Sequence, residues 1–191
     1  MQATVHLVDG VPGPQDNSWV DAVLADLDRP AGALVGRAIG LGPGVAVAFG
    51  SAATAGFAVG RVSVRRGTAY EIVEQRTGRG TGPARYLQLT VFAGRSPEWS
   101  AAFDRSSAER AWPAVQDLPG LVGVLVGSTS DGGGRIALTL AESVETLEAG
   151  AAAILSTELL PWEKPEHLTG PDEMTIVRLL HADVPVAAPR T

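Results

Sequence analysis

The chain of 191 residues contains no cysteine. This excludes disulfides, thiolate zinc sites, ordinary iron–sulfur clusters and thiol catalysis. Lysine is nearly absent: of 15 basic residues only Lys164 is lysine, which reads as coding bias and carries no functional signal. Positive charge is in deficit, with 15 basic against 21 acidic side chains and a net charge of -6. A general nucleic-acid binder is normally basic, so no nucleic-acid partner is expected. The N-terminus, Met1-Gln2-Ala3-Thr4-Val5-His6, lacks a basic head and a long apolar run, so a cytoplasmic protein is expected. At 45% hydrophobic and 19% charged, the chain has material for a real core, in one ordinary domain or two small ones.

Ala38 to Gly60 carries no charge and is long enough to span a bilayer. It is broken by Gly40, Gly42, Pro43, Gly44, Gly50 and Gly56, and Leu41-Gly42-Pro43-Gly44 reads as a turn. A buried pair of strands is therefore expected, and no membrane partner. The clearest linker is Thr77-Gly78-Arg79-Gly80-Thr81-Gly82-Pro83, whose glycines permit many backbone angles. It divides the chain into 1–76, 84–184 and a tail, 185–191.

The second segment reads easily. Tyr86 to Phe92 is a strand, and Ser96-Pro97-Glu98-Trp99 is a helix start with Ser96 as N-cap. Pro113 is expected to stop that helix near Trp112. Leu118-Pro119-Gly120 is a turn, and Leu121 to Val126 a buried strand. Ser130-Asp131-Gly132-Gly133-Gly134 is a hairpin loop, followed by a strand over Arg135 to Leu140. Ser143 to Ser156 has apolar residues at helical spacing, and Met174 to Leu180 is a final strand. The order β-α-β-β-α-β is the ferredoxin-like arrangement. The first segment is a weaker copy: strand Ala3–Val8, helix Ser18–Leu27, strands Leu34–Leu41 and Val45–Phe49, and strand Tyr70–Gln75. Its second helix should fall in Ala52–Arg66, where Val59, Val62 and Val64 instead suit an extended chain.

A strand, a helix opening with tryptophan, a Leu-Pro-Gly turn, a Gly-rich hairpin, a helix and a final strand together resemble the antibiotic-biosynthesis-monooxygenase-like branch of the dimeric α/β-barrel superfamily. The resemblance covers Arg85 to Val184 well and Ala3 to Gln75 loosely. It implies two ferredoxin-like units whose sheets pair into a barrel, here fused in one chain. Proteins resembling this branch include cofactor-independent monooxygenases of aromatic polyketides and haem-degrading enzymes. The haem-degrading branch uses an asparagine on the first strand, with a tryptophan and a histidine near the second helix. The matching strand here carries Gln88, or His6 in the first half, and Ser143–Ser156 holds neither tryptophan nor histidine.

Six residues are candidate ligand contacts. Gln88 shares a strand face with Tyr86, Thr90 and Phe92, and is either a polar contact in an apolar pocket or a satisfied core amide. His6 is either a pocket base or a hydrogen-bonded structural histidine. Trp99 and Trp112 can wall a site for a flat ligand or anchor the helix. Trp162, in a proline-rich loop, is a lid candidate. Arg178 can neutralise a ligand anion or reach solvent. His6, His167 and His181 match no metal motif, and neither glycine cluster has a nucleotide-binding spacing, so no metal and no cofactor are expected.

The fold class expected is α+β: two ferredoxin-like units in tandem forming an intramolecular α/β barrel. The chain should be a monomer with an internal pseudo-dimer, free to dimerise through another surface. The function expected is binding of an apolar or aromatic small molecule, in a monooxygenase-like enzyme that oxygenates without a cofactor. The alternatives are a non-catalytic interaction or structural protein keeping the fold, and a haem-handling protein. The pocket is expected in the second half, which alone has both helices and the long loop.

Overall fold

The structure is a computed structural model, and it describes residues 1–13, 15–27, 30–40, 42–50, 55–59, 62–165 and 169–185. The strands are β1 (Gln2–Asp9), β2 (Gly32–Ala38), β3 (Gly44–Phe49), β4 (Phe57–Val59), β5 (Val62–Val64), β6 (Thr68–Thr77), β7 (Tyr86–Phe92), β8 (Leu121–Ser128), β9 (Arg135–Ala141) and β10 (Glu173–Asp183). The helices are α1 (Ser18–Asp26), α2 (Pro97–Ser106), α3 (Trp112–Val115) and α4 (Val144–Ser156), with a π-helical turn over Ser107–Ala111 joining α2 to α3.

Eight antiparallel strands close into a barrel in the order β3-β2-β10-β7-β9-β8-β6-β1, with β1 pairing back onto β3. The hairpin β4–β5 lies outside the ring and attaches to the end of β1, where Val8 pairs with Val64. The two halves of the chain meet along two seams, β2 with β10 and β6 with β8. Within residues 1–77 the strands run β2-β3-β1-β6, and within 84–184 they run β8-β9-β7-β10.

Strand alternation sorts the side chains into an inner and an outer face. The inner face is packed with Leu34, Val45, Val47, Phe49, Leu87, Leu89, Leu125, Ile136, Leu138 and Val177. A barrel of this strand number has an interior just wide enough for its own side chains. On the outer face of the N-terminal half, Trp19, Val20, Val23 and Leu27 pack on Val8, Val35, Ala46 and Ala48. Val62 and Val64 of the outlying hairpin complete that layer.

Most elements fall where the residue pattern puts them, with two differences. The helix that Pro113 should end at Trp112 continues to Val115. The π-helical turn makes this tolerable: the Trp112 N–H donates to the Ser107 carbonyl, and the α spacing resumes from Gln116 N–H to the Trp112 carbonyl at 2.9 Å. Proline is costly in a helix because it lacks an N–H and crowds the preceding turn, and the shifted ladder relieves this. The helix expected within Ala52–Arg66 is replaced by β4 and β5 in the described part of that segment; residues 51–54 and 60–61 lie outside it. Val62 and Val64 are buried and Ser63 is exposed, a period of two that no helix could satisfy. The charge-free stretch 38–60 is likewise strand and turn where described, and among the described residues no helix is long and apolar enough to cross a membrane.

The β2–β10 seam admits no side chain at Gly36, where a Cβ would lie 2.5 Å from both the Arg178 carbonyl oxygen and Val177 Cγ1. Gly36→Ala should therefore cost about 1–3 kcal/mol of overpacking. Urea unfolding checks this; an unchanged midpoint would mean that the seam yields freely.

Candidate functional site

The outer face of the C-terminal half is not filled. There α2, α3 and α4 stand over β7, β8 and β9 and leave a cavity of about 700 Å³, within the range of small-molecule sites. Its floor is Gln88, Thr90 and Phe92 of β7, Val124 and Val126 of β8, and Ala137 and Thr139 of β9. Its roof combines large side chains, Trp99, Phe103, Trp112, Leu147 and Ile154, with the small ones of Ala102, Ala111, Gly150 and Ala151. The corresponding layer over the N-terminal half uses tryptophan, leucine and valine.

The roof is held by ordinary helix signals. Ser96 Oγ accepts from the Trp99 N–H at 3.2 Å, Pro97 occupies the first turn, and Ser143 Oγ accepts from the Thr146 N–H at 3.2 Å. Phe92, Trp99 and Phe103 form an aromatic cluster with ring centroids 5.1–5.2 Å apart, Trp99 and Phe103 being stacked.

One end of the cavity is closed by a buried ion pair. The Arg110 guanidinium, on the π-helical turn, donates from Nε to Glu163 at 2.9 Å and from Nη1 to the Ile154 carbonyl at 3.1 Å. Glu163 also accepts from Ser106 Oγ and, at 2.8 Å, from the Leu160 N–H. Its side chain is 2% exposed. The node thus ties the π turn, the end of α4 and the segment after it together. Burial pushes the Glu163 carboxyl up, but the hydrogen bonds from Ser106, Leu160 and Arg110, with the charge of Arg110, outweigh it and hold it below the usual range. Nearer the surface, Trp162 Nε1–H donates to Glu109 at 3.0 Å, and the Arg105 guanidinium lies 4.1 Å from the Trp162 ring centre. Leu155, Leu159 and Met174 line the cavity and are exposed, so they form its rim.

Of the residues singled out in the sequence, Gln88, Trp99, Trp112 and Trp162 come together on this wall. The Gln88 amide donates to Thr90 Oγ1 at 3.3 Å, and its carbonyl oxygen has no partner among the described residues. His6 and Arg178 are not on the wall. His6 is 1% exposed on the outer face of β1, with Nδ1 3.0 Å from the Arg65 carbonyl, under a turn so close that only glycine fits at Gly67. Arg178 sits on the exposed outer side of β10, opposite Arg37 and Tyr86. His181 of β10 is also off the wall, and His167 lies outside the described residues. The residue pattern did not single out Arg110, Glu163, Glu74 or Arg76, all on the wall. For the last two a signal exists: a charged pair two residues apart, continuing an apolar alternation from Tyr70 and Ile72.

The fold and cavity define an α+β protein with a closed antiparallel barrel and helices on its outside. No family model and no curated protein sequence matches the chain. Solved structures do. A candidate monooxygenase from Fusobacterium nucleatum subsp. nucleatum has TM-score 0.58 and 6% identity, over 100% of this chain and 98% of that one. A major regulator of staphylococcal pathogenesis has TM-score 0.58 and 8% identity, over 93% and 98%. A heme-degrading enzyme from Listeria monocytogenes has TM-score 0.52 and 8% identity, over 93% and 99%. At these identities the likeness shows the fold alone, and the three proteins carry different descriptions.

The described residues of the wall do not fit haem; His167, next to the lining segment, lies outside them. Iron needs an axial imidazole, thiolate, phenolate or thioether. Among the described residues the cavity offers no histidine, tyrosine or cysteine, and its one thioether, Met174, is 59% exposed at the rim. Among the described residues no cluster of metal-ligating side chains exists elsewhere either.

The ion pair makes a prediction. Glu163→Gln leaves Arg110 buried without its counter-charge and should cost about 3 kcal/mol. Because the Glu163 carboxyl is depressed in the folded state, its contribution is complete above its ordinary value of 4.5 and is lost as pH falls through the lower, folded value. Urea unfolding across pH 7 to 3 should show an acid-side loss of stability in the native protein that is shallower in Glu163→Gln. Identical pH profiles would refute the assignment.

Proposed function

We propose that the cavity binds a flat, largely apolar small molecule. The observation that carries this reading is the volume of about 700 Å³ left between α2, α3 and α4 and the strands β7, β8 and β9. Bringing together a large unfilled volume is unfavourable unless something occupies it, since empty space forfeits packing. Trp99, Phe103 and Trp112 offer broad aromatic surfaces for a planar ligand. Gln88 supplies an acceptor and a second N–H at the floor, in the pattern of few polar groups in an apolar pocket. Trp162, hydrogen-bonded to Glu109, covers the mouth.

Binding is the function the geometry carries. The two carboxylates of the described wall, Glu74 and Glu163, are each paired with an arginine, and no imidazole is present there to act as a base. An oxygenation at this site would have to use a ligand able to give an electron to oxygen itself.

We infer further that the chain is two ferredoxin-like units in tandem, 1–76 and 84–184, joined by 77–83. With the outlying β4–β5 hairpin left out, each half orders its strands second, third, first, fourth, which supports this reading. The barrel then closes within one chain, as a monomer with an internal pseudo-dimer.

A thermal-shift screen with planar aromatic compounds tests the site. A binder should raise the Tm of the native protein. Gln88→Leu should weaken its binding about fivefold, the value of one lost hydrogen bond, with little change in the unliganded Tm. No binder among such compounds, or equal binding by Gln88→Leu, would count against the assignment.

A further inference from the structure

The strand β6 carries an irregularity that changes which side chains reach the cavity. Tyr70 and Ile72 point into the barrel interior. Unbroken alternation would send residues 74 and 76, a glutamate and an arginine, into the same apolar core. The β6–β8 register instead shifts: Ile72 pairs with Gly127, and the next pair is Glu74 with Val126. Val73 is the extra residue of a β-bulge, a device that re-aims side chains. Glu74 and Arg76 thereby lie across from Val126 and Val124, on the cavity face, while Gln75 turns inward opposite Leu125. The pair is the contribution of the N-terminal half to the cavity wall.

The two arginines of the wall differ in what they have left to give. Arg110 donates to Glu163, to the Ile154 carbonyl and to Ser106, so each of its nitrogens is used. Arg76 has its Nε and Nη2 both on Glu74 Oε1, and its Nη1 has no partner among the described residues. Its guanidinium lies 5.2 Å from the centre of the Trp112 ring, a cation–π contact on the wall. Each arginine is neutralised by its own carboxylate. The cavity therefore presents free donors with no net charge.

Resting on the reading of this cavity as a ligand site, we propose that Glu74 and Arg76 set the charge of its ligand. Arg76 Nη1–H donates to a carbonyl oxygen of a neutral planar molecule. Glu74 cancels the charge of Arg76 and so disfavours aromatic carboxylates, which would put two anions on one half-buried guanidinium. Glu74 is thus a specificity-determining residue that acts by repulsion.

Matched probes of the same shape test this: 2-acetylnaphthalene, a neutral ketone, and 2-naphthoate, its carboxylate counterpart. Binding is read by quenching of tryptophan fluorescence at pH 7.5 and low salt, with circular dichroism confirming the fold of each variant. The native protein should bind the ketone at least about tenfold more tightly than the carboxylate, since like charges in contact are strongly disfavoured. Glu74→Gln should raise carboxylate affinity about tenfold, by freeing Arg76 for a charge-assisted pair, and change ketone affinity less than about threefold. The double variant Glu74→Gln/Arg76→Gln should lose that gain. If the ketone binds the native protein but Glu74→Gln leaves the ratio unchanged, the charge assignment fails while the site stands. If neither probe binds the native protein, the site reading fails and this inference with it.

Discussion

Closure of the eight-stranded ring is the constraint on which the rest depends. Once β1 meets β3, and β2 and β6 meet β10 and β8, the inner face becomes a closed tube lined by side chains of all eight strands. Leucine, isoleucine, valine and phenylalanine fill it. The larger cavity lies on the outside, between sheet and helices. Over the N-terminal half a helix carrying Trp19 and Leu27 and a hairpin carrying Val62 and Val64 pack on the sheet. Over the C-terminal half α2, α3 and α4 leave the cavity between themselves and β7, β8 and β9.

That roof must stand without a packed layer beneath it, and polar contacts supply part of the support. The Arg110–Glu163 pair joins three elements at the closed end, and its hydrogen-bond complement is nearly complete, the condition under which a buried ion pair holds rather than harms. The π-helical turn that presents Ser107, Arg110 and Ala111 to the cavity also lets the helix pass Pro113. One backbone irregularity therefore serves both the site and the helix, as the bulge at Val73 serves both the barrel interior and the cavity wall.

The residue pattern is informative where one physical signal acts alone. Tyr86–Phe92 was legible as a strand to the residue, and Ser96-Pro97 and Ser143 as helix starts, because period-two burial and N-cap chemistry are local. Two kinds of feature were not legible. The first is the irregularity: charged residues at 74 and 76 mark that the alternation from Tyr70 and Ile72 breaks, but not that Val73 is the residue gained, and Pro113 reads as a stop unless the ladder before it is known to shift. The second is which outer face is filled. His6 and Gln88 are both polar residues pointing outward from the first strand of their half. Only the side chains arriving from the roof, distant in sequence, enclose one under Gly67 and leave the other facing open space. Arg178 is a register question of the same sort, settled by its place opposite Arg37 and Tyr86.

The central claim is that the C-terminal outer face is a ligand site and the N-terminal one is not. Calorimetric titration with a planar neutral aromatic ketone measures this most directly, through its stoichiometry. The account predicts one molecule per chain, and none after Ala151→Phe fills the cavity from α4. Two molecules per chain, or binding that survives Ala151→Phe, would contradict it.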